Sequence, residues 1–287
     1  MAEVQHLLAA ANQLGEGPLW HSKEKALYWV DIEGECFHRF FPGTGNQETY
    51  LIGQPIGCLA FRENGGLLMA LRDGLGFWDL ENQNLEIVTN PEASRENARF
   101  NDGKVDRKGR LWAGTIGEDA NSALYRFGPD GSIHTMETGI TISNGIGWSP
   151  DDKTMYYTDS APRLIYSYDF DLPSGQITNQ KTFVKVPVTE GFPDGLSVDS
   201  EGFIWSAQWD GWRITRYDPD GKVERVIKMP MQRPTSCTFG GDDLDQLYIT
   251  SAWTGLKESD RREQPFAGDL FCIQTEIRGQ PATDFIG

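Results

Sequence analysis

Asn101-Asp-Gly-Lys-Val-Asp-Arg-Lys-Gly-Arg-Leu-Trp112 and Asp194-Gly-Leu-Ser-Val-Asp-Ser-Glu-Gly-Phe-Ile-Trp205 share the pattern Val-Asp-x-x-Gly-x-x-Trp. Each copy leads into a short apolar run, and six such runs look alike. They are Leu27–Ile32, Leu67–Leu71, Arg110–Thr115, Thr154–Asp159, Phe203–Gln208 and Gln246–Ser251. Successive runs start roughly 45 residues apart, the spacing of four-stranded propeller blades. After each run comes a turn and a second strand. Tyr125-Arg-Phe-Gly-Pro-Asp-Gly131 and Ile214-Thr-Arg-Tyr-Asp-Pro-Asp-Gly221 show it clearly, with a proline that presets one φ and a glycine that accepts a positive one. Long helical patterns are missing, and Gly, Pro, Asn and Asp clusters separate the short runs, which reads as all-β. The expectation is a six-bladed β-propeller of four-stranded antiparallel blades around a central channel that binds a metal. Residues 1–287 would form a single domain, with the chain ends completing one blade between them. An irregular β-sandwich does not repeat at this period.

The chain has 287 residues and a formal net charge of −16. Its length is ample for a core without covalent staples. So acidic a surface repels phosphate backbones and anionic lipid heads, which argues against nucleic-acid and membrane partners. No apolar run approaches the ~20 residues needed to span a bilayer. The N-terminus lacks a basic start, and the apolar patch from Leu7 to Ala11 is too short for a secretory segment. Cys36, Cys58, Cys237 and Cys272 are far apart and form no Cys-x-x-Cys, so buried free thiols are expected. A cytoplasmic protein, monomeric or a weak dimer, fits these features.

The segment before each repeated run should be the innermost strand of a blade. With Trp20, Phe61, Val105, Trp148, Val198 and Phe239 as anchors, the equivalent positions hold Glu16, Gly57, Asn101, Asn144, Asp194 and Thr235. In a propeller such positions form a ring around the axis. Asn-Gly and Asp-Gly are ordinary turn formers one at a time. Four carboxylate or amide side chains at one position of the repeat are a different matter. Carboxylates converging in a narrow channel repel each other and are costly to desolvate, and a divalent cation compensates both costs. An all-oxygen donor set with no paired His and no Cys suits calcium first, then magnesium or manganese, with zinc and iron(II) left open.

At these residues the chain resembles the regucalcin/gluconolactonase family of metal-dependent sugar lactonases, also called senescence marker protein-like. The matching stretches are Leu14-Gly-Glu-Gly-Pro-Leu-Trp20, Arg99-Phe-Asn-Asp-Gly-Lys-Val-Asp106, Gly109-Arg-Leu-Trp-Ala-Gly-Thr115, Ser143-Asn-Gly-Ile-Gly-Trp-Ser-Pro-Asp151 and Pro193-Asp-Gly-Leu-Ser-Val-Asp199. They fall in family order over nearly the whole chain. The resemblance implies Glu16, Asn144 and Asp194 as the metal ligands. It implies Asn101 beside the metal, Arg99 on substrate hydroxyls and Glu118 in contact with the sugar. After Gly-Thr the family usually continues with Met, whereas here the text is Ile116-Gly-Glu-Asp-Ala-Asn121. The substrate implied is a small sugar lactone of the gluconolactone, xylonolactone or arabinonolactone type.

For that reaction Asp194 is the expected general base, its pKa low beside a cation, which suits an activated ester. Arg99 is suited to bidentate contact. No Gly-x-Ser-x-Gly elbow is present, and His6, His21, His38 and His134 are scattered. Neither a phosphate loop nor a dinucleotide fingerprint occurs. Two other readings share the metal: a promiscuous aryl-ester or organophosphate hydrolase, and a non-catalytic calcium-binding propeller. Trp209 and Trp212 are read either as a sugar platform or as packing between blades. Arg216 and Arg233 are read as surface or inter-blade partners.

Overall fold

The computed structural model describes residues 3–117 and 121–287. Its strands form six antiparallel four-stranded sheets arranged in a ring, a six-bladed β-propeller. The innermost strands are Gly15–His21, Ile56–Phe61, Arg99–Val105, Ser143–Trp148, Phe192–Val198 and Pro234–Gly240. Five blades are built from consecutive strands. The sixth takes its outermost strand from the other end of the chain: Val4–Leu8 pairs antiparallel with Leu270–Gln274, in the register Val4↔Ile273. The expected closure by both ends is therefore present, and it removes an open seam between first and last blades.

The apolar residues gather in six clusters, and each spans two neighbouring blades. Tyr28, Val30 and Phe37 of the first blade meet Leu59, Leu67 and Trp78 of the second. Trp20 and Trp29 of the first meet Tyr248 and Leu270 of the sixth. Trp205 and Ile214 of the fifth meet Phe239 and Ile249 of the sixth. Large side chains such as these each contribute roughly 1.5–3 kcal/mol on burial. Because the apolar packing lies between blades, the axis is left to polar groups. Cys36, Cys58, Cys237 and Cys272 are free and buried, as expected.

The repeated Val-Asp-x-x-Gly-x-x-Trp is the hairpin between the first two strands of a blade. In the third blade Asp106 accepts hydrogen bonds from Lys108 N (2.9 Å), Arg110 Nε (2.7 Å) and Trp112 Nε1 (2.8 Å). In the fifth, Asp199 accepts from Glu201 N (2.9 Å), Trp205 Nε1 (2.9 Å) and Arg216 Nη2 (2.7 Å). Arg216 thus differs from expectation. It is buried inside its own blade, where Asp199, Glu201 and Glu224 surround its guanidinium.

Every innermost strand carries one extra residue relative to its partner, always near its start. The breaks fall between Glu16 and Leu19, Ile56 and Cys58, Phe100 and Gly103, Ser143 and Ile146, Pro193 and Leu196, and Pro234 and Cys237. Such bulges re-aim side chains, and they sit on the ring positions. At the opposite end of the ring the C-terminal segment crosses from blade to blade. Gln280 Nε2 donates to Trp148 O (3.1 Å), and Phe285 stacks on Phe127 at a centroid distance of 5.4 Å.

Candidate active site

The bulges bring Glu16, Asn101, Asn144 and Asp194 to the starts of four innermost strands, and all four are buried. The remaining two ring positions have other tasks. At Gly57 a Cβ would run into the carbonyl oxygens of Phe100 and Asn101, so only glycine lets the second and third blades approach there. Thr235 bonds to Thr250 Oγ1 (2.8 Å) and to Gly15 O, linking the sixth blade to the first.

The amides are pinned. Asn144 Nδ2 donates to Ser160 Oγ (2.8 Å), and Asn144 Oδ1 accepts from Asn101 Nδ2 (3.0 Å). Asn101 Nδ2 also donates to Ser143 O (2.7 Å), and Asn101 Oδ1 accepts from Arg99 Nη1 (2.6 Å). Asn101 therefore joins Arg99 to Asn144, while Asn144 Oδ1 keeps a second lone pair for another partner.

The carboxylates are not neutralised. Among the described residues no Lys or Arg forms an ion pair with Glu16, Asp102 or Asp194. Among the described residues Glu16 Oε2 accepts only the Gly17 N–H (2.9 Å). Burial, with Asp102 nearby, pushes Glu16 up to about 8, although Gly17 N–H and Arg99 pull the other way. Burial and the charges of Glu16 and Asp102 raise Asp194 well above the carboxylate range. Asp102 is raised by burial against the pull of Lys104 and the Gly103 N–H. Burial lowers Arg99 to about 10, with Glu16 and Glu33 opposing. Lys104 is also lowered by burial, with Asp102 opposing.

Asp102 and Lys104 were not singled out from the sequence. Strict alternation puts Asp102 on the face opposite Asn101, and the bulge between Phe100 and Gly103 cancels that alternation. The available signal was Gly103 inside a strand, a mark of bulges.

Arg99 also borders a cleft formed with Arg72, Glu96, Asn97, Ile116 and Gly117. Glu118 lies outside the described residues. Trp209 lies under the Arg233 guanidinium, 4.5 Å from the ring centroid, and Arg233 Nε pairs with Asp210 Oδ1 (2.7 Å), so Arg233 bridges the fifth and sixth blades as expected. Trp212 is largely exposed.

The donor set fits a hard divalent ion. Two buried carboxylates and a hydrogen-bonded amide stand at equivalent ring positions, and the burial that makes the carboxylates costly as bare anions is what an ion would offset. No group of three His, Cys, Asp or Glu that could hold an ion occurs among the described residues. No helix among the described residues is long and apolar enough to cross a membrane.

Known proteins similar to this chain match it over most of its length. The family model described as the SMP-30/gluconolactonase/LRE-like region matches residues 14–253. The chain is 37% identical to the putative sugar lactone lactonase YvrE of Bacillus subtilis, over 96% of this chain and 95% of that one. It is 37% identical to the pentonolactonase XacC of Haloferax volcanii, over 97% and 96%. The crystal structure of a calcium-binding protein, regucalcin, from Agrobacterium tumefaciens superposes with a TM-score of 0.94. That structure is 27% identical and covers 99% of this chain and 97% of its own.

Proposed function

Because the chain belongs to the SMP-30/gluconolactonase/LRE-like family, we propose that it is a lactonase that opens a sugar lactone to its aldonic acid, using one divalent ion held by Glu16, Asn144 and Asp194. The observation that carries this reading is the pair of buried carboxylates, Glu16 and Asp194, near each other and without a Lys or Arg at ion-pair distance among the described residues. Calcium is the first choice of ion, in keeping with the oxygen donors and with the calcium-binding relative.

A hard cation at these oxygens would polarise a lactone carbonyl and offset the negative charge that builds on it during attack. The chain's own residues supply the rest. Asp194 accepts the proton of the attacking water as the new C–O bond forms. The ring C–O bond then breaks, and Asp194 returns that proton to the departing ring oxygen, which leaves as a hydroxyl. Burial and neighbouring carboxylates strengthen Asp194 as a base, and a cation weakens it, so the balance suits an activated ester. Arg99 and Asn101 orient the sugar hydroxyls. The Arg99 guanidinium is held by Phe100 O (2.9 Å) and Asn101 Oδ1, so it is set before substrate arrives.

The test follows acid release from glucono-, xylono-, galactono- and arabinono-lactones, with spontaneous opening subtracted. Metal-stripped protein is compared with protein to which calcium, magnesium, manganese, zinc or iron(II) is restored. Turnover well above background that returns with an ion supports the reading and begins to name the sugar. No turnover of any lactone with the ion demonstrably bound overturns it. Aryl-ester or organophosphate turnover alone would then favour the promiscuous hydrolase, and ion binding without turnover the calcium-binding propeller.

A further inference from the structure

Below the ring, on the side away from Arg99, the channel holds a second positive charge that the proposed reaction does not use. Lys104 lies five residues after Arg99 on the same innermost strand, about 15 Å further along. Its Nζ donates to Leu196 O at 3.3 Å. Leu196 belongs to the innermost strand of the fifth blade, two residues after Asp194, so the contact passes over the fourth blade and crosses the channel. Leu196 O is the only hydrogen-bond acceptor of Lys104 among the described residues. Beneath it a cavity of about 110 Å³ is lined by Asp102, Lys104, Ser197 and Cys237 and reaches Gln280 of the C-terminal segment.

A lysine in such a place needs a reason, because an ammonium group is costly to remove from water without an anionic partner. The carboxylate that acts on it is Asp102, two residues back on the same strand and lining the same cavity. No carboxylate lies within ion-pair distance of Nζ among the described residues, so the ammonium acts on the group through the channel and not by direct pairing. We infer that Lys104 is a resident counter-charge of the metal site, which stabilises the carboxylate cluster without an ion and weakens the binding of a divalent ion there.

The inference rests on the metal-site reading above, and its consequences have opposite signs. Removing the charge should destabilise the metal-free protein, because Asp102, whose charge bears on both Glu16 and Asp194, loses its nearby cation. It should also tighten ion binding, because a charge of the same sign as the ion is gone. At an effective dielectric between those of a protein surface and of water, a unit charge across the channel from a divalent ion changes its affinity by about tenfold. A strut that merely held the fifth blade would have neither signature.

The experiment measures calcium and manganese affinity by calorimetry, and thermal midpoints with and without ion, for the wild type, Lys104→Met and Lys104→Arg. Lys104→Met should bind either ion about tenfold more tightly, with a lower metal-free midpoint and a wider gap between metal-free and ion-saturated midpoints. Lys104→Arg, which keeps the charge, should stay close to the wild type. Unchanged or weaker affinity in Lys104→Met overturns the inference. So does an equal fall of both midpoints. If Lys104→Met does not fold, Lys104→Gln removes the charge while keeping a donor for Leu196 O, and it is read the same way. Failure of the wild type to bind either ion would instead overturn the metal-site reading, and no readout here depends on lactone turnover.

Discussion

Asp194 and Asp199 stand five residues apart in the fifth blade, and both are withdrawn from solvent, at 6% and 0% exposure. Asp199 accepts hydrogen bonds from Glu201 N, Phe203 N, Trp205 Nε1 and two nitrogens of Arg216. Asp194 accepts none from any side chain among the described residues, and its neighbours include two more carboxylates. One carboxylate is fully partnered and braces a hairpin. The other is kept short of partners at the axis. Burial alone does not separate structural from functional acids in this fold; completeness of the partner set does. The third blade shows the same division, with Asp106 partnered by Arg110 and Trp112 and Asp102 left in the channel.

Substitution at the two positions should break the protein in different ways. Asp194→Asn is expected to lower lactone turnover by about a thousandfold or more, since a ligand and the proton acceptor go together. The same change should raise the thermal midpoint of the metal-free protein, because one of the crowded carboxylates becomes neutral. Asp199→Asn is expected to do the reverse. It leaves Arg216 short of its principal partner and should cost about 3–5 kcal/mol, or roughly 10 °C in the midpoint, with ion affinity unchanged. Calorimetric melting and ion titration of both variants decide the matter. A destabilised Asp194→Asn, or an Asp199→Asn with altered ion affinity, would dissolve the distinction.

A smaller effect should appear with pH. Burial pushes Glu16 from its ordinary 4.5 up to about 8 in the folded protein, so the folded state holds the extra proton between the two. Its contribution to stability is complete below the unfolded value and is lost as pH rises through the folded one. Asp194 and Asp102 shift in the same direction. His38 works against them at lower pH, because burial pulls it from 6.5 down to about 4. The window from about pH 7 to about pH 8.5 avoids His38, which is mostly neutral there in both states. Across it the urea midpoint of metal-free protein should fall, and saturating calcium should flatten the slope. A metal-free midpoint that rises through this window would show that the ring carboxylates are already compensated.

How much of this was legible beforehand follows from the same physics. The blades could be read because each repeats a turn chemistry and an apolar run at one period, and the ring could be read because the repeat assigns one equivalent position to every blade. The bulges could not. An extra residue in a strand cancels the alternation on which a face assignment depends, so Asp102 and Lys104 went unremarked although they adjoin Asn101. Arg216 was misplaced for another reason. Arginine is seldom fully buried without partners, and its main partner, Asp199, lies 17 residues away, where no local pattern connects them. Phe285, which seals the second and third blades from the far end of the chain, belongs to no repeat at all.

Thr235 supplies the finest test, because it occupies the ring position of the sixth blade yet has the partner set of a structural residue. Its hydroxyl bonds to Thr250 Oγ1 and Gly15 O, and it is fully buried. If ring position alone conferred function, Thr235→Val would disturb ion binding, since Gly15 directly precedes the proposed ligand Glu16. If completeness of partners is the better guide, the hydroxyl only fastens the sixth blade to the first. Valine fills nearly the same volume, so the loss is confined to the hydrogen bonds and should cost about 1–2 kcal/mol. Ion affinity should then stay within about twofold of the wild type, well under the roughly 1.4 kcal/mol that a tenfold change represents. A lowered melting midpoint with unchanged calcium affinity is the expected pair of results. A large loss of affinity with little loss of stability would mean that the ring acts as one unit and that the partner count misassigns its sixth member.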